Sequence, residues 1–137
     1  MTEQTMRLRM LRQVALRADG FYDTAQNLGK KAAGALTDKK RSQISGLEGI
    51  ANSALKTTDV FDFVKLRTAR QKEWREGDWG AELLRFISRD LRLQRKEICN
   101  ALGIDSESHD GLEVHLLLIR EFVRQLAAHY EYACVCP

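Results

Sequence analysis

The sequence predicts an all-α protein, a compact bundle of five or six helices forming a single domain. Three observations carry that expectation. Apolar residues recur at three- and four-residue spacing almost throughout the 137 residues, which is the period of helices that each bury one face. Stretches of alternating polar and apolar residues, the mark of half-buried strands, are few. The one proline stands at the last position, so no helix is interrupted by a ring that removes a backbone donor. With 44% hydrophobic and 30% charged residues, the chain has material for one core and no room for a second domain.

The first helix is expected over about residues 3 to 33, on Met6, Leu8, Leu11, Val14 and Ala15, weakening at Gly20 and resuming through Phe21, Ala25 and Leu28. "GALTDKK" breaks it and offers Thr37 or Asp38 as the next N-cap. A second helix, about 38 to 56, lines up Ile44, Leu47, Ile50, Ala51, Ala54 and Leu55. "KTTD" supplies a cap for a third, which runs to about Arg75 on Val60, Phe61, Phe63, Val64 and Trp74. "REGDWG" stops it, with Trp74 and Trp79 anchoring the turn in the core. A fourth helix follows to about residue 97 with a bend before "KEICNALGI", and "GIDSESHDG" is a polar loop. The last helix, about 110 to 132, is the most apolar.

Several functions are disfavoured by what the chain lacks. No apolar run reaches the ~18 residues of a membrane span, and the start "MTEQTMRLRMLRQ" has no unbroken apolar core of a secretion signal, so a cytoplasmic location without membrane contact is expected. Three cysteines, Cys99, Cys134 and Cys136, are too few and odd for a disulfide framework. The terminal "CVCP" resembles a prenylation box only superficially. His129, Cys134 and Cys136 could approach one metal, but a lone C-x-C lacks a second ligand pair, and no metal or cofactor is expected. Phosphate-cradling glycine loops and nucleophile elbows are absent.

Charge is unevenly placed. Net charge is +1 over residues 1 to 29, +7 over 30 to 96 and −5 over 97 to 137. A basic middle suits a surface that meets phosphates, and an acidic end suits a basic partner. On a wheel of 100° per residue, Arg85, Arg89, Arg92 and Lys96 fall in a narrow arc opposite Leu83, Leu84, Ile87 and Leu91. That ridge, on the order of 16 Å long, spans a few consecutive phosphates. An ordinary solvated face would look the same. "DKKR" places cations at a helix start, where the helix dipole gives them no support. Arg67 shares a face with Val60, Phe63, Val64 and Trp74, so it either snorkels to the rim of that stripe or serves a partner there.

These pieces, in order, resemble the small subunit of type III (Csm-type) CRISPR effector complexes. That family has an "LTxSQIR"-like helix start, a "KLAYAAGR"-like segment and a final "FxxFFEAxVAYxKFYG"-like helix. Here stand "LTDKKRSQISGLEGIANSAL", "FDFVKLRTAR" and "IREFVRQLAAHYEY". The resemblance covers about residues 36 to 132, leaving an N-terminal helix (1 to 35) that is longer than usual and a tail (133 to 137) in place of the family's final glycine. It implies a non-catalytic subunit of an antiviral ribonucleoprotein. Such a subunit stacks with copies of itself beside other effector subunits and holds guide and target RNA by their phosphates. The first match implicates Lys40 and Arg41, with Lys39 adjacent; the second implicates Arg70, with Lys65 and Arg67 nearby. The ridge has no motif behind it.

A different chemistry is written in "RQLAAH". HEPN-type ribonucleases, also small and helical, place an Arg four to six residues before a His; there His129 would be the general acid or base and Arg124 would stabilise the charged phosphate. The same spacing arises by chance on helices. On the wheel His129 lies near Leu118 and Phe122, as a packing histidine would. A third class, a helical adaptor using the apolar surface of residues 112 to 130, is the background alternative.

Overall fold

The computed structural model describes residues 2–36 and 41–136. Among them there is no strand, and the all-α expectation holds. The helices are α1 (Glu3–Ala18), α2 (Tyr22–Ala35), α3 (Arg41–Ser53), α4 (Thr57–Arg70), α5 (Trp79–Arg85), α6 (Leu91–Leu102) and α7 (His109–Val135). A 3₁₀ turn (Asp19–Phe21) joins α1 to α2 at the expected weak point, and a π-helical turn (Phe86–Asp90) joins α5 to α6.

Local chemistry accounts for the boundaries. Thr2 caps α1 by accepting from the Thr5 N–H, and Ser108 caps α7 by accepting from the Gly111 N–H. α6 ends in a left-handed glycine, Gly103 (φ 72°), with Ile104 N–H bonded back to the Cys99 carbonyl at 2.9 Å and Gly103 N–H to that of Asn100. "KTTD" behaves differently from its sequence pattern. Lys56 is the N-cap residue of α4 and gives no side-chain bond, while Thr57 turns inward and is buried. The expected cap at Thr37 or Asp38 lies outside the described residues.

In place of the expected bend before "KEICNALGI", the α5–α6 rod carries a π-helical turn at Phe86–Asp90, and its burial pattern explains why. Trp79, Leu83, Ile87, Leu91 and Arg95 are all buried, at steps of four residues. In an unbroken α-helix each such step drifts by roughly 40°, so the row would spiral out of the core. The wider π turn absorbs one residue and turns the later positions back inward.

α7 is the central strut. It packs most heavily on α2 and also against α6, α3 and α1. Val114, Leu118, Ile119, Phe122, Leu126 and Tyr130 are fully buried along it. This corrects the adaptor reading, because the apolar surface of residues 112 to 130 is consumed by the protein's own core; Leu112 is its exposed margin. Phe21, Phe86 and Phe122 meet at centroid separations of 4.4 to 6.0 Å, tying the α1–α2 joint and the π turn to α7. Trp74 and Trp79, both fully buried and 4.4 Å apart, pin the "REGD" turn as expected. Asp78 and Gly77 in that turn take left-handed conformations, and the Trp79 indole donates to the Glu73 carbonyl at 2.9 Å.

Candidate nucleic-acid interface

Lys39 and Lys40 lie outside the described residues; Arg41 opens α3 with its side chain exposed. On α4, Lys65 and Arg70 are exposed. Arg67 is half-buried, its guanidinium 4.8 Å from the centroid of the Phe63 ring, so of the two expectations the snorkelling one describes its present geometry. With Phe63, Leu66, Arg70 and Gln71 it lines a shallow depression of about 180 Å³.

Arg85, Arg89, Arg92 and Lys96 are all exposed. The π turn lies between Arg85 and Arg92, and its extra residue rotates the later pair by roughly 100° relative to an unbroken helix. The four cations therefore wrap around the rod as a band, broader than the narrow arc of a regular wheel. Arg92 reaches loosely toward Glu107 at 3.7 Å. Among the described residues, Arg41, Lys65, Arg70, Arg85, Arg89 and Lys96 enter no ion pair.

The acidic end has a different fate from the expected external partner. Glu113 holds Arg7 of α1 at 2.8 Å and lies 4.0 Å from Arg120, Glu97 pairs with Arg17, Glu121 with Arg124, and Glu107 with Arg95 at 2.9 Å. Much of the negative charge of residues 97 to 137 is thus met inside the molecule, by α1, α6 and α7. The positive surplus of α4 and the α5–α6 rod is left facing solvent.

Arg95 was not singled out by charge patterning, and it has a role of its own. It is buried, with Nη1 3.2 Å from His115 Nδ1 and Nη2 bonded to Glu107. His115 Nε2 lies 2.7 Å from the Ile87 carbonyl, inside the π turn, where Leu91 N–H is directed to Phe86 instead. A ring nitrogen facing a carbonyl must donate, so Nδ1 is the acceptor for Arg95 and the ring is neutral. Burial, with the positive Arg95 and Arg92 beside it and against the pull of the Ile87 bond, holds the pKa of His115 down at about 4. The sequence signal was spacing: Arg95 lies four residues after Leu91 and three before Ile98, in the core phase.

Arg124 and His129 line one open groove of about 510 Å³ with Tyr22, Gln26, Gln125, Ala128 and Tyr132. Arg124 is exposed and clamped by Glu121 on its own helix. His129 is half-buried against Tyr22, edge-on at 4.6 Å, and burial, aided by Lys30, pushes its pKa down. That is the packing histidine expected from the wheel. Cys99 is buried, Cys136 is exposed, and no group of three candidate metal ligands occurs among the described residues. No helix among those residues is long and apolar enough to cross a membrane. No protein-family model, curated protein or solved structure matches the chain, and its function rests on its own residues and geometry.

Proposed function

We propose that this protein is a non-catalytic RNA-binding subunit that grips phosphates through the cations of α3, α4 and the α5–α6 rod, as the small subunit of a type III CRISPR ribonucleoprotein would. One observation carries the reading. Among the described residues, Arg41, Lys65, Arg70, Arg85, Arg89 and Lys96 are exposed without an acidic partner, whereas Arg7, Arg17, Arg95, Arg120 and Arg124 each have one. Unneutralised cations on a folded surface repel one another, and a polyanion relieves that repulsion while releasing its own counterions. Guide and target RNA are the expected ligands, with neighbouring effector subunits and further copies of the chain as partners. The resemblance of "LTDKKRSQISGLEGIANSAL", "FDFVKLRTAR" and "IREFVRQLAAHYEY" to that family supports the assignment.

Reversing charge at Arg85, Arg89 and Arg92 together is expected to weaken binding of single-stranded RNA and to lower the slope of log affinity against log salt by about 2, at ~0.7 per lost phosphate contact. The helical CD spectrum should not change, since all three side chains are exposed. Unaltered affinity would overturn the interface. Metal-free cleavage of RNA by the purified protein, abolished in His129→Ala, would instead establish the ribonuclease reading with Arg124 and His129.

A further inference from the structure

Phosphate contacts account for the cations of α4 but not for what lies between them. Phe63, Leu66, Arg67 and Arg70 share a sector of roughly 100° on that helix, and with Gln71 they line the open depression of about 180 Å³. A place in the last turn of α4 suits the charge of Arg67 and Arg70, because the helix dipole favours cations there. It does not account for Leu66, which is left 48% exposed in their midst. Asp59, one turn before Phe63 on the same face, is held by Lys56 at 3.6 Å. Among the described residues, neither Arg67 nor Arg70 enters an ion pair.

The depression is built on a fixed ring. Gly46 of α3 makes room for Phe63, since an added Cβ there would stand 3.3 Å from the ring, and the fully buried Trp74 meets the same ring edge-on at 6.3 Å. Over that ring sits the Arg67 guanidinium, its central carbon 4.8 Å from the centroid. Because Arg67 also belongs to the lining of the depression, its cation is positioned in advance at an open surface.

Such a surface suits a flat π-system better than a phosphate. A phosphate beside Phe63 and Leu66 gives up hydration to apolar neighbours, whereas a base covers the exposed leucine and lays its π face on a guanidinium already in place. The volume, below the ~300 Å³ at which sites enclose a whole small molecule, fits part of a ligand whose remainder stays in solvent. We propose that this depression on α4 takes one unstacked base of a single-stranded RNA, packed against Arg67 and Leu66, with the exposed Arg70 on the adjoining phosphate. The proposal rests on the RNA-binding reading and adds to it a contact with the bases, tolerant of sequence.

The test compares, on the full chain and over a salt series, the affinity of an oligouridine with that of an abasic RNA strand of equal length, which carries the same phosphates and no bases. The wild type should prefer the oligouridine by on the order of tenfold, the effect of one stacked base. Arg67→Lys, which keeps the charge and loses the guanidinium plane, should remove most of that preference while the slope of log affinity against log salt stays the same. Leu66→Ala, at an exposed position, should remove part of it with an unchanged helical CD spectrum. Charge reversal at Arg85, Arg89 and Arg92 should weaken both strands alike and keep their ratio. Equal affinity of the wild type for the two strands, or a preference indifferent to Arg67→Lys, overturns this proposal, and the charge-reversal result then still decides the RNA-binding reading. Failure of both strands to bind the wild type overturns the two together.

Discussion

His115 is a titratable ring with 2% of its surface exposed, wedged between the Ile87 carbonyl and Arg95. In the unfolded chain it titrates near 6.5, in the fold at about 4. Between those values the unfolded chain binds more protons, so stability falls as pH drops from about 6.5 toward 4, by roughly 3 kcal/mol over the window. Carboxylates titrate in the lower part of the same range. The comparison is therefore between urea denaturation of the wild type at pH 7, 5.5 and 4.5 and that of His115→Gln, whose amide can still donate to Ile87. The variant should lack the histidine's share of the loss, and parallel curves would show that His115 is not the titrating group. The sequence showed this histidine only as a polar letter in "LEVHLLLIR". Its partners lie twenty and twenty-eight residues away, so neither its burial nor its charge state was legible there.

At the level of helices, the contact between α2 and α7 depends on Gly29. A Cβ at that position would meet His129 Cβ at 2.7 Å and the Leu126 carbonyl at 2.8 Å, both on the rigid body of α7. Replacing it with alanine removes the helix-propensity penalty of glycine, worth up to ~1 kcal/mol, but overpacks a close interface at a cost of about 1 to 3 kcal/mol. Clash with backbone decides the sign. Gly29→Ala should be destabilised in thermal melts, and an unchanged or raised Tm would show that the two helices separate freely. The π turn belongs to the same scale. The buried row from Leu83 to Arg95 follows it at four-residue steps, but a regular wheel hides it, which is why the cations of the rod were expected in a narrower arc. Helix identity was legible throughout because apolar period and glycine breaks are local signals. The cap at "KTTD" was not, because burying Thr57 depends on what packs over it.

Taken as one molecule, the fold is closed around α7, with Cys99 fully buried on α6 and Cys136 exposed at the far end. Burial also pushes the Cys99 thiol pKa up, so it is protected both by access and by reactivity. Under native conditions a thiol reagent should label Cys136 first and Cys134 next. Cys99 should follow only at the rate of opening of the core, accelerating with denaturant as global unfolding does. Rapid labelling of all three would contradict a single closed core. At this scale the sequence by itself determined the helical class, the apolar character of α7 and the concentration of positive charge in the middle of the chain. Each of these follows from local periodicity or simple counting. Only the tertiary structure decided where charges are spent. Glu97, Glu107, Glu113 and Glu121 are met by arginines, some from distant helices, while Arg85, Arg89 and Lys96 meet no carboxylate among the described residues. It likewise brought Tyr22 of α2 beside His129 of α7. Pairing between residues a hundred positions apart depends on how helices dock, and that is set by the summed packing of the core, which no local pattern contains.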